Sequence, residues 1–104
     1  ITNGFNEVQG RKLQNSKLDS YFTEVITSEN AGANKPHAKI FEFAFNSTGA
    51  HVKNSIMIGD DLNTDIKGAR DIGMDHIYFN PKKTSHKEIT TYEIENLKEL
   101  IDIL

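Results

Sequence analysis

Short β-branched, apolar runs alternate along this chain with stretches whose apolar residues recur at helical spacing, and few folds accommodate that alternation. Glu24–Thr27, Ser55–Ile58 and His76–Phe79 read as strands, and Ile1 as the tail of another. After Pro36, a favoured first-turn residue, Ile40, Phe41, Ala44 and Phe45 share one helical face until Gly49 ends it. Leu62, Ile66 and Ala69 repeat the spacing up to Gly73, and Ile94, Leu97, Leu100, Ile101 and Leu104 predict a last helix. The polar stretch Asn6–Ser16 contains Gly10 and is a weaker helix; residues 80–90 read as a surface loop. Strands alternating with helices bury their faces best as a parallel sheet flanked by helices, a Rossmann-like α/β class. With 104 residues there is room for one such domain and no second.

Composition removes several functions. Twelve Lys and Arg against fifteen Asp and Glu leave a formal charge of −3, so no positive field draws nucleic acid or anionic lipid. The absence of Cys excludes disulfides, thiolate metal sites and thiol nucleophiles and fits a cytoplasmic setting. No apolar run is long enough for a membrane helix, and Ile1-Thr2-Asn3-Gly4 has no signal-peptide character. The start also lacks Met, so a processed or truncated piece is expected.

Strand ends in a parallel α/β sheet share one edge, where ligands bind. Thr2-Asn3-Gly4, Thr27-Ser28-Glu29 and Gly59-Asp60-Asp61 are all predicted strand ends, so these polar clusters are expected to converge. The strongest carries Asp60 and Asp61 with Asp65 in the following helical turn, and Gly59 allows close backbone approach. Hard oxygen ligands of this kind suit Mg²⁺, which takes one or two protein carboxylates and keeps several waters. The plainer reading is that Asp61, Asn63 and Asp65 cap the helix, but two adjacent anions repel unless a cation offsets them. Lys35 before Pro36 would stand near a helix N-terminus, where an anion is favoured; most lysines are simply solvated. Thr2, Asn3 and Gly4 offer a hydroxyl, a carboxamide and main-chain N–H groups, a small anion cradle that is equally good turn chemistry. His37, His51, His76 and His86 have no ligand-like spacing and read as surface or partly packed residues.

The order of these motifs, Thr2-Asn3-Gly4, then Lys35-Pro36, then Gly59-Asp60-Asp61 with Asp65 and the run to Met74, resembles the haloacid dehalogenase superfamily of phosphohydrolases. Gly4–Gln9 and Thr91–Leu100 resemble its pyrimidine 5′-nucleotidase group. The resemblance implies roles. Thr2, helped by the Asn3 backbone and Gly4, binds the transferring phosphoryl group; Lys35 neutralises its charge; Asp60 ligates Mg²⁺. Asp61 is a further candidate ligand, at a position where the family often carries Ser or Thr, and Asp65 orients Lys35 or a metal-bound water. The reaction would pass through an aspartyl-phosphate, splitting hydrolysis of a small phosphorylated metabolite, such as a nucleoside monophosphate, into two displacements.

The family's nucleophile and acid/base aspartates should precede Thr2, with the helical cap between the two motifs. The expectation is therefore a C-terminal half of a phosphatase core lacking its first strand and cap. By itself it would be inactive, and would pair with the missing half or self-associate through uncovered apolar edges. Two other classes compete. A receiver-type phosphoacceptor has the right length and build, but carries its acidic pair before its Lys, the reverse of Lys35 and Asp60. A non-catalytic binding fragment would need no nucleophile.

Overall fold

A computed structural model describes all residues, Ile1–Leu104, as two compact units, Ile1–His51 and Val52–Leu104. In the first, Thr2 and Thr27 form a single parallel bridge: the Thr2 N–H donates to the Ile26 carbonyl (2.8 Å) and the Ser28 N–H to the Thr2 carbonyl (3.0 Å). The expected strands at Ile1 and Glu24–Thr27 therefore shrink to one bridge. Helix α1 (Asn6–Asn15) buries no residue, in keeping with its polar sequence, and an exposed Glu7–Arg11 pair at 2.6 Å spans one turn. Helix α2 (Ser28–Ala31) starts at Thr27, whose hydroxyl accepts from the Asn30 N–H, and stops at Gly32, where φ of 72° suits glycine.

Helix α3 (Ala38–Thr48) buries Ile40 and Phe41 completely, and these with Ile26 and Ala31 are the unit's buried apolar side chains. Phe43 and Phe45 flank that face, half-buried. The helix begins two residues beyond the expected Pro36. His37 is the N-cap, its Nδ1 accepting from the Lys39 N–H, so the Lys35–Pro36 bond, which is cis, lies before the helix rather than in its first turn.

The second unit holds the sheet. Strands β1 (Ile56–Gly59), β2 (Asp75–Phe79) and β3 (Tyr92–Ile94) are parallel in the order β1-β2-β3, with Ile58 opposite Ile77 and Phe79 opposite Ile94. Between β1 and β2 the chain makes a π turn, Leu62–Ile66, and then α4 (Lys67–Asp71), placing Ile66 and Ala69 in a core with Ile77 and Ile94. Ile94 was expected to open the last helix; it is instead the buried end of β3. The alternation Tyr92-Glu93-Ile94 reports a strand, and the helix after it is only a 3-10 turn, Leu97–Glu99, with α5 (Leu100–Ile103). An Asn96–Glu99 capping box starts that turn.

Residues 80–90 form the expected irregular loop, but one anchored by side chains. Asn80 is buried and bonds the Thr84 main chain through both ends of its amide, and its Nδ2 also donates to Glu93 (3.1 Å). His86 meets Glu93 at 2.5 Å and packs edge-on against Tyr78. His76 is buried rather than superficial, with Nδ1 against the Met74 carbonyl and Nε2 unpartnered. No helix is long and apolar enough to cross a membrane.

Candidate active site

In the first unit the clusters Thr2-Asn3-Gly4 and Thr27-Ser28-Glu29 do come together. Besides the bridge, Ser28 Oγ accepts from the Gly4 N–H at 2.8 Å, and the Glu29 N–H reaches the Gly4 carbonyl at 3.4 Å. Two of the three main-chain N–H groups of the expected anion cradle are thus committed inside the protein. The Thr2 hydroxyl and the Asn3 N–H carry no internal hydrogen bond, so the cradle narrows to these two donors.

Lys35 joins this cluster through residues on both sides of Thr2. Its N–H donates to Asn3 Oδ1 (2.8 Å), its carbonyl accepts from Asn3 Nδ2 (3.3 Å), and its Nζ donates to the Ile1 carbonyl (3.4 Å). Thirty-odd residues of intervening chain return to bring Lys35 onto the main chain that flanks Thr2. Gln9, one turn into α1, supports the loop from below: its Nε2 donates to the Asn3 carbonyl at 3.2 Å, and its amide fills the space that a Cβ on Gly4 would need, 2.3 Å away. No spacing rule singles out Gln9 or the carboxamide of Asn3 as supports, because both act through contacts made only on folding.

In the second unit, β1 delivers Gly59 and Asp60 at its carboxyl end, and Asp61 caps the π turn. Asp61 Oδ1 accepts from the N–H groups of Asn63 (2.8 Å) and Thr64 (3.0 Å), and the Ile66 N–H closes the wide turn on the Asp61 carbonyl at 3.2 Å. The extra residue of that turn brings Asp65 back over the strand end. Asp65 is 5% exposed and accepts from the Asp61 N–H (3.3 Å). A Cβ at Gly59 would lie 2.4 Å from the Asp65 Cβ and 2.2 Å from its Oδ2, so only glycine leaves room for this carboxylate. Asp60 is exposed and makes no hydrogen bond or ion pair.

These donors fit Mg²⁺. Asp60 offers an unengaged hard-oxygen carboxylate, Asp61 has one oxygen committed to its cap, and no three acidic or His side chains form a closed cage. An ion that keeps its waters and takes one or two carboxylates matches that set better than one demanding a full protein shell.

A parallel α/β sheet with an acidic pair at a strand's carboxyl end, and a hydroxyl with a tethered lysine in the companion unit, is a hydrolase-type α/β architecture. The chain belongs to the haloacid dehalogenase-like hydrolases, whose family model matches residues 1–79. A glyceraldehyde 3-phosphate phosphatase of Pyrococcus furiosus is 35% identical over 109 aligned positions, covering 100% of this chain and 45% of the relative. The pyrimidine 5′-nucleotidase PynA of Streptococcus pneumoniae is also 35% identical, over 99% of this chain and 45% of its own length. Among solved structures, magnesium-bound YfnB of Bacillus subtilis superposes with a TM-score of 0.94 at 34% identity, covering 99% of this chain and 46% of that one. The chain thus spans about half the length of the curated relatives it matches.

Proposed function

We propose that these residues supply the phosphate-binding and metal-binding half of a Mg²⁺-dependent phosphomonoesterase. Its nucleophilic aspartate and substrate-selecting cap belong to a segment outside the 104 residues. The observation that carries the reading is the tethering of Lys35 to both neighbours of Thr2, its ammonium on the Ile1 carbonyl and its N–H on Asn3, in a loop whose Thr2 hydroxyl and Asn3 N–H are unengaged. A phosphoryl oxygen meeting Thr2 Oγ1, the Asn3 N–H at the turn of Thr2-Asn3-Gly4, and Lys35 Nζ gains two hydrogen bonds and a charge partner.

In this reading the phosphoryl group passes to the aspartate of the complementary segment, the alcohol leaves, and water then cleaves the acyl phosphate to release inorganic phosphate. Lys35 and the Thr2 hydroxyl hold the equatorial oxygens through both displacements, where positioning and charge stabilisation do most of the work. Asp60 with Asp61 would hold Mg²⁺, which when bound would supply charge neutralisation to a phosphoryl group. Asp65, fixed by Gly59, is the orienting carboxylate. The substrate class is a small phosphorylated metabolite; the names of the relatives favour testing nucleoside monophosphates and a triose phosphate.

The test is Mg²⁺-dependent release of phosphate from an aryl phosphate, a nucleotide panel and glyceraldehyde 3-phosphate, by this chain alone and joined to the remainder of the full-length protein. Turnover only in the joined form is expected. Turnover by the 104 residues alone would place the nucleophile among them and overturn the assignment.

A further inference from the structure

Asn3 stands in the proposed phosphate-binding loop, yet both polar ends of its side chain are engaged on the main chain of Lys35. Oδ1 accepts from the Lys35 N–H at 2.8 Å and Nδ2 donates to the Lys35 carbonyl at 3.3 Å. A carboxamide presents one acceptor and one donor side by side and can answer the N–H and C=O of a single residue; a carboxylate would face the carbonyl with a second acceptor, and alanine answers neither. We propose that Asn3 is a positioning residue for Lys35, a role that rests on the phosphomonoesterase reading above. The lysine stem has four rotatable carbons and considerable rotamer freedom, so the placement of the ammonium depends in part on the backbone from which it starts. Asn3 fixes that backbone, and the Ile1 carbonyl then receives Nζ at 3.4 Å on the other side of Thr2. The loop that binds the anion and the cation that neutralises it are thereby one construction. Gln9 steadies it from α1 by donating to the Asn3 carbonyl.

The experiment is a double-mutant cycle in the full-length protein, with aryl phosphate as probe. Lys35→Ala is expected to lower kcat/KM by about a hundredfold or more, as for loss of a charge-stabilising group. Asn3→Ala is expected to cost roughly ten- to a hundredfold, carried by kcat, as misplacement of a catalytic group by a fraction of an ångström does. In the Lys35→Ala background, Asn3→Ala should cost nothing further, because its effect passes through the missing ammonium. Losses that multiply would mean that Asn3 acts on substrate by itself, and would overturn the proposal.

A second readout needs neither metal nor substrate. The Lys35 amide should lose hydrogen-exchange protection in Asn3→Ala and keep it in Asn3→Asp, which retains the acceptor; loss in both, or in neither, would refute the clamp. The two readings fail differently. Wild-type turnover by Lys35→Ala would remove the functional assignment and the positioning role with it, whereas a damaged Lys35→Ala enzyme with multiplicative Asn3 losses removes the positioning role alone.

Discussion

At residue scale, the tightest constraint in the second unit is the contact between Gly59 and Asp65. The sequence suggested close backbone approach at Gly59, but not what approaches; the approaching group is a carboxylate six residues on, brought there by a π turn that no residue pattern announces. Because the Asp65 Cβ, and not only its carboxylate, would lie 2.4 Å from an added Cβ, side-chain rotation gives no relief. Gly59→Ala should therefore destabilise by about 1–3 kcal/mol, the usual range for overpacking, read as a lower midpoint in urea unfolding. Asp65→Ala should fail to recover it, since alanine keeps the offending carbon. A recovery would show that the strain came from the carboxylate alone.

Two elements carry predictions of opposite kinds. At the π turn, Asp61 caps two N–H groups whereas the neighbouring Asp60 bonds to nothing in the protein. Asp61→Ala should cost about 1 kcal/mol of stability, as loss of an N-cap does. Asp60→Asn should leave the unfolding midpoint unchanged and abolish Mg²⁺-dependent turnover in the full-length protein. Unfolding curves and a Mg²⁺ titration of both variants separate the roles, and wild-type Mg²⁺ dependence in Asp60→Asn would remove it as a ligand.

The β2–β3 loop is pinned by Glu93, whose carboxyl is held below its ordinary value by the hydrogen bond from Asn80 and then by that from His86. The Glu88 N–H donates to His86 Nδ1, so in the neutral ring Nε2 carries the proton and points it at Glu93. A carboxylate with a lowered native pKa stabilises the fold fully above its unfolded value near 4.5 and loses that contribution as pH falls through the native one. Amide protection factors across residues 81–90, corrected for the intrinsic slowing of exchange with acid, should thus fall on acidification below about pH 4.5 in the wild type, and Glu93→Gln should flatten that dependence. An unchanged profile would release Glu93 from its role as the anchor. None of this pinning is legible in the sequence: residues 80–90 read as a surface loop, but Asn80 and His86 acquire meaning only once β3 exists to present Glu93.

For the whole molecule, the alternation of strand and helix revealed the parallel class, and motif order revealed the family, because both are local in sequence. What escaped were elements defined by neighbours: Glu24–Thr27 pairs at one residue only, and Ile94 closes a strand instead of starting a helix. The first of these misses bears on the proposed division of the protein. In the first unit a cavity of about 450 Å³ runs beside Ile1, Leu13, Leu18, Phe22 and Val25, with Phe22 52% exposed. In the second, β1 is an edge strand with Ile58 37% exposed. Apolar surface beside an unfilled strand edge is what a protein normally covers. If the proposed complementary segment covers both places, joining it should slow amide exchange through Ile56–Gly59 and around Val25. It should also raise the melting temperature by about 10 °C or more, since each kcal/mol is worth roughly 4–8 °C at this size. Protection at neither place, with Mg²⁺-dependent turnover nonetheless restored, would mean that the nucleophile docks elsewhere, and the proposed division would have to be redrawn around that surface.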